Sequence, residues 1–190
     1  NDFTVDFLLF SPYKRKPGDG SVSYEEWDEF NYYKDQLAGR GTKLYSPYRQ
    51  SNLQEPFWSS HGAKFFILGP DESIVRSETS MIHDACLVIS AKLGERTCVF
   101  TGDASDLSLE FIANHTNDFC NDILHASHHG SIQGAEPTFI QKANPAYTVI
   151  STKAGVDDAI PHPEALQRYK TFTREAIYRT DESGTIPWEF

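Results

Sequence analysis

Residues 123–131, ILHASHHGS, pass from an apolar strand straight into two histidines and a glycine. Gly130 permits the tight turn that ends the strand. Upstream, 99–103 (VFTGD) shows the same arrangement, an apolar run followed by Gly102 and the carboxylate Asp103. Downstream, 147–151 (YTVIS) is a third strand, and 159–163 (AIPHP) sets His162 between prolines at the start of a helix over 163–172. Hydrolytic metal sites need neutral imidazoles and carboxylates where rigid strands give way to loops. Taken singly, each piece has an ordinary explanation: a Gly-Asp turn, a solvated histidine pair, a helix-entry histidine. The information lies in their order: strand, carboxylate, strand, His-His-Gly, strand, His-Pro.

The remaining chain supplies an α/β frame for that series. Phe3 to Phe10 predicts a buried strand, and the basic run Lys14-Arg15-Lys16 a solvated loop tip. Ser23 and Glu26 form an S-x-x-E capping box, opening a helix whose Trp27, Phe30, Tyr33 and Leu37 recur at core-facing spacing until Gly39 and Gly41. Short strands are expected at 42–45 and 65–68, a polar loop at 71–80, and a hairpin of 85–91 with 97–101 turning at Gly94. Helices are expected at 105–114, with Leu107, Phe111 and Ile112 inward, and at 136–143, and a last strand at 176–179. Hairpins early and strand–helix alternation late predict a mixed sheet covered by helices.

The 190 residues are enough for one domain, and 39% hydrophobic with 23% charged residues is a globular composition. Lys+Arg 17 against Asp+Glu 27 gives a formal charge of -10, a field that repels nucleic acid and suits a cation or a neutral substrate. A bound divalent ion reverses the sign of a cleft locally, so a nuclease stays open. Cys86, Cys98 and Cys120 form no CxxC pair and are expected to be buried free thiols of a reducing compartment. No run approaches the roughly 18 apolar residues of a membrane helix, no signal-peptide pattern opens the chain, and a cytoplasmic location is expected.

HDACLVI, FTGDAS, ILHASHHGS, YTVIS, PHPEAL and YRTDESGTI, in this order between His83 and Gly184, resemble the later half of metallo-β-lactamase-fold hydrolases, particularly the ComEC-like branch of competence proteins. The resemblance covers about half of the chain, with residues 1–80 as a connecting region and 81–190 as the motif-bearing half of one partial domain. It implies an αββα sandwich with one or two zinc ions, or manganese or iron in their place, along the edge where the sheets meet. Asp103 would bind or bridge the metals, His129 would be the late histidine ligand, and His83 stands where many relatives have another. His128 and His129 can exchange roles. His128, Ser131 and His162 would contact substrate or support the ligands, and Asp181 would hold a turn.

The family's first ligand run, of the H-x-H-x-D-H or H-x-D-x-D-H type, has no counterpart among His61, His83, His115, His125, His128, His129 and His162. With Asn1 in place of an initiator Met, the sequence is expected to be a piece of a longer protein whose upstream part carries that run. The expected activity is metal-dependent hydrolysis of a phosphodiester or related ester, weak or absent in this chain alone. Lactonase or thioesterase chemistry fits the same ligands, and a non-catalytic accessory domain retaining the fold is the alternative. The expected partners are a small-molecule or phosphodiester substrate, and the missing amino-terminal half or a second copy to cover the sheet.

Overall fold

The computed structural model describes residues 4–153 and 160–188. Phe3 and Ala159, the outermost residues of the expected first strand and His-Pro element, lie outside the described residues. In chain order the elements are β1 (Phe7–Leu9), α1 (Tyr24–Gly39), β2 (Lys43–Tyr45), β3 (Trp58–Ser60), β4 (Ala63–Gly69), α2 (Glu72–Arg76), β5 (Val88–Leu93), β6 (Arg96–Phe100) and α3 (Asp106–His115). β7 (Ile123–His125), α4 (Pro137–Ala143), β8 (Tyr147–Ile150), α5 (Pro163–Phe172), β9 (Ala176–Arg179) and α6 (Thr180–Ser183) follow. Seven strands form one mixed sheet in the order β3-β4-β5-β6-β7-β8-β9, antiparallel from β3 to β6 and parallel from β6 to β9. Tight turns join β3 to β4 and β5 to β6, and the segment carrying α2 joins β4 to β5; α3, α4 and α5 are the crossovers that make the second half parallel. β1 and β2 pair in a separate two-stranded parallel sheet.

Alternation along the strands sends one set of side chains to α3, α4 and α5. Leu68, Val88, Val99, Leu124 and Ile150 meet Leu109, Ile112, Phe139, Ile140, Ala165 and Tyr169 in the main core. Burying a side chain of this size stabilises by about 1.5–3 kcal/mol, so this layer fixes the parallel half. Each covering helix also carries its own start signal. The Ser105 hydroxyl caps α3, the Glu136 carboxylate accepts from Thr138 and Phe139 N–H before α4, and Pro163 follows the His162 cap of α5.

The opposite face is different. Trp58, Phe65, Ala91, Cys98, Ile123, Tyr147 and Ala176 stand in register across all seven strands. The next row carries Ile89 opposite Phe100, then His125 opposite Val149 opposite Tyr178. Phe65, Ala91, Cys98, Phe100, Ile123, His125 and Val149 of these rows line an open groove of about 410 Å³, with Lys92, Arg96 and Thr97 at its polar side; Phe100 is 48% and Leu93 46% exposed. Trp188 closes only its β8–β9 end, with its ring centroid 4.9 Å from that of Tyr147 and 5.6 Å from that of Tyr178. A sheet apolar on both faces is the pattern of an inner layer.

Several expectations are corrected. The first strand is not fully buried: Phe7 is 51% exposed and Leu8 and Leu9 are half-buried, β1 pairing with β2 in a sheet of two strands. α1 keeps its capping box but has no fully buried residue; Trp27 packs edge-on to Tyr13, Phe30 lies against Phe10 and Leu37 is half-buried, while Tyr33 is 58% exposed. The expected solvated tip at 14–16 is docked: Lys16 Nζ donates to the carbonyls of Val75 and Ser77 and to Ser80 Oγ, and Arg15 lies over the Tyr24 ring. Asp19, buried beside it, accepts from Tyr13 OH at 2.5 Å and Ile82 N–H at 2.7 Å. The expected loop at 71–80 contains α2, capped by Asp71. Leu107 points outward, and Leu109 takes its place inward. Cys120 is buried, whereas Cys86 and Cys98 are half-buried; all three are free, and burial pushes their thiols up to about 12, 11 and 11.

Candidate metal and substrate site

The carboxyl ends of β6 and β7 lie side by side because the two strands are parallel neighbours. Asp103 follows β6 through Gly102, whose φ of 53° turns the chain. His128 and His129 follow β7 in the turn Ser127–Gly130. The two turns are fastened together: His128 N–H donates to the Gly102 carbonyl at 3.0 Å, and the buried Ser127 hydroxyl donates to the Ala104 carbonyl at 2.7 Å. His83, in the 3-10 turn Ile82–Ala85, joins them because its carbonyl accepts from Ser105 N–H at 3.1 Å. Nearby, the Ser105 hydroxyl donates to Asp84 at 2.5 Å.

His129 is oriented by a single bond. Its Nδ1 lies 2.7 Å from the Ser151 carbonyl oxygen, at the end of β8. A carbonyl can only accept, so the ring proton sits on Nδ1 and the lone pair on Nε2 is free. That Nε2 lies 3.7 Å from Asp103 Oδ1, too long for a direct hydrogen bond. Both groups are half-exposed, with side-chain accessibilities of 51% and 44%. With ligand bonds of about 2.0–2.2 Å, two donors spaced this way can share one cation. The geometry thus fits two positions of a coordination sphere. No group of three potential donors is assembled among the described residues.

His83 and His128 stack on each other, with ring centroids 4.7 Å apart. The His128 ring is also edge-on to His129, with centroids 6.5 Å apart. Burial, followed by His83, holds the His128 imidazole below its ordinary pKa. His162 is joined to the same turn by its backbone, its N–H donating to the Gly130 carbonyl at 2.9 Å, but its Nδ1 accepts from Glu164 N–H and caps α5. Ser131 Oγ accepts from Gly134 N–H at 3.1 Å, within its own turn. Asp181 pairs with Arg179 at 2.6 Å and Thr180 ties the turn to Thr152, an arrangement that holds the chain end in place.

The backbone here is strained. His128 has φ 49° and ψ 47°, and His129 φ 55° and ψ 23°. Left-handed conformation costs a non-glycine residue about 1–2 kcal/mol, and such outliers gather at functional sites. Gly130 continues the run at φ 82°, where a Cβ would lie 2.8 Å from Pro161 Cβ.

His125 was not singled out by its sequence motif. It belongs to the groove face, and its Nδ1 is buried without a hydrogen-bond partner. Burial, then the neighbouring His129, lowers its pKa, with Asp103 opposing. Period-two alternation across Ile123, Leu124 and His125 is the signal that would have placed it on the same side as Ile123.

One curated relative bears on this arrangement. The chain is 24% identical over 133 residues to Recombination protein 2 of Haemophilus influenzae. The match covers 70% of this chain and 16% of that protein, so the chain spans a small fraction of its relative. No protein-family model matches the chain. No helix among the described residues is long and apolar enough to cross a membrane.

Proposed function

We propose that this chain is the later part of a metal-dependent hydrolase of the metallo-β-lactamase fold, contributing Asp103 and His129 to the metal edge. The observation that carries the reading is the pairing of a lone-pair Nε2, fixed by the Ser151 carbonyl, with a carboxylate oxygen 3.7 Å away. Two further features support it. His128 and His129 both hold the left-handed backbone that gathers at functional sites, and the uncovered apolar face is what a sandwich lacking its second sheet would present. A bound zinc, manganese or iron ion supplies Lewis acidity and lowers the pKa of water toward about 7. Asp103 and His129 hold their side of that site, while the remaining donors come from outside the described residues. A phosphodiester is the first substrate to test, since the matched relative is named for recombination.

The deciding measurement is zinc and manganese binding to the purified chain by calorimetry. Asp103→Ala and His129→Ala should each weaken binding at least tenfold, and His115→Ala, whose ring lies on Phe111, should not. Equal binding by all four proteins would leave the fold with an accessory, non-catalytic role.

A further inference from the structure

Asp19 is a buried carboxylate, 3% exposed, that the metal edge does not use. Its Oδ2 accepts from the Tyr13 hydroxyl at 2.5 Å and from the Ile82 N–H at 2.7 Å, and its Oδ1 accepts from the Ser21 N–H at 2.8 Å. Burial opposes ionisation, but the Tyr13 hydroxyl and the two backbone N–H groups outweigh it and hold the carboxyl below its ordinary pKa. Both oxygens are therefore acceptors, and all three donors are met. An asparagine of the same size would turn its NH2 group toward one of them. A buried ion is costly even when it is hydrogen-bonded, so such a position needs a purpose.

That purpose lies in what Ile82 begins. The 3-10 turn Ile82–Ala85 carries His83, whose ring stacks on His128 at 4.7 Å, while His128 is edge-on to His129. The turn is tied down from two sides. From the early part of the chain, Asp19 takes the Ile82 N–H, the Ser11 hydroxyl donates to the Ala85 carbonyl at 2.7 Å, and Lys16 Nζ donates to Ser80 Oγ. From the metal edge, Ser105 donates its N–H to the His83 carbonyl and its hydroxyl to Asp84, whose other oxygen accepts from the Met81 N–H at 2.8 Å. Tyr13 and Ala85 also pack with Val75 in a small buried cluster of their own. A single 3-10 turn has little cohesion by itself, so these ties set where His83 stands. The Asp19 bond is charge-assisted and buried, and it falls on the residue next to His83.

We propose that Asp19 is a positioning residue for this site: its carboxylate fixes the Ile82 N–H and so holds the His83 ring on His128, which steadies the His128–His129 turn beside Asp103. Asp19 touches neither metal nor substrate and acts only through the turn. The use of the turn rests on the hydrolase reading above, whereas the coupling of Asp19 to the His83–His128 stack stands without it.

Magnetic resonance of the unmodified chain gives two direct readouts: cross-relaxation between the ring protons of His83 and His128, and a coupling through the hydrogen bond from the Ile82 amide nitrogen to the Asp19 carboxyl carbon. Both are expected. Asp19→Asn should lose the ring cross-peak and weaken zinc binding about tenfold, the low end of the roughly 10–100-fold lost when groups behind metal ligands are removed. Ser90→Ala, which deletes a buried hydroxyl bonded to the Phe119 carbonyl at 2.9 Å, controls for lost stability alone. Its melting temperature should fall while the cross-peak and zinc affinity stay. An Asp19→Asn chain that melts lower but keeps both makes Asp19 a scaffold residue and overturns the proposal, as does a missing coupling between Ile82 and Asp19. Should that variant fail to fold, Tyr13→Phe, which removes one of the donors that aim the carboxylate, is read the same way: a weakened cross-peak supports the proposal and an unchanged one overturns it. Zinc binding that ignores Asp103→Ala and His129→Ala instead sinks the hydrolase reading, and the cross-peak still decides what Asp19 holds.

Discussion

The N–H of His128 donates to the Gly102 carbonyl at 3.0 Å, so the histidine turn and the Asp103 turn move as one body. The Ser127 hydroxyl, buried beneath them, adds the 2.7 Å bond to Ala104 and lies 3.2 Å from the Gly102 carbonyl. Ser127→Ala leaves the Ala104 carbonyl without the hydroxyl donor. It should cost about 1–2 kcal/mol in urea unfolding, with zinc affinity falling in parallel. Stability lost with affinity intact would mean that the two turns are positioned independently.

Gly130→Ala should be costly, because the new Cβ would lie 2.8 Å from Pro161 Cβ and 3.1 Å from Ile150 Cγ2 at a φ of 82°. Left-handed strain of about 1–2 kcal/mol adds to overpacking of about 1–3 kcal/mol. A melting temperature within two degrees of the original would show that the His162 segment yields easily.

His129→Gly separates function from stability. Glycine relieves the left-handed strain of about 1 kcal/mol, and the lost bond to Ser151 costs about the same. Unfolding free energy should therefore stay within about 1 kcal/mol of the original while zinc binding is lost. A large destabilisation would make the ring a structural wedge.

The sequence makes the second half of the fold more legible than the first, for a physical reason. α5 and β9 occupy the expected residues because a capping residue and a proline start mark the helix and a short apolar run follows it. α1 was equally visible as a helix, but periodicity alone cannot say what its stripe faces, and Tyr33 faces solvent. Asp103 and His129 stand out through their place after strands. The tautomer of His129 depends on the carbonyl of Ser151, twenty-two residues away, which no local motif encodes. His125 was missed because three residues of strand give alternation little room to show.

Acid should destabilise the chain before its carboxylates titrate. Burial holds both His125 and His128 below the ordinary histidine range in the folded state. The unfolded chain, with histidines near about 6.5, therefore binds protons first. The two groups leave stability unchanged at high pH and reduce it as pH falls below about 6.5, until the folded-state rings protonate in turn. Urea midpoints measured at pH 7.5 and 5.5 should drop accordingly, and His125→Phe should flatten the slope. A midpoint unchanged across that interval would contradict the burial of these rings.

The uncovered groove face has a calorimetric consequence. Unfolding normally raises the heat capacity by about 12–15 cal/mol/K per residue, because buried apolar surface becomes hydrated. Here the Phe100 and Leu93 side of the sheet is half-hydrated already, so the increment should fall below that range. Whatever closes this face then contributes the missing amount as a negative heat-capacity change of association, a signature that tracks apolar contact however strong or weak the binding.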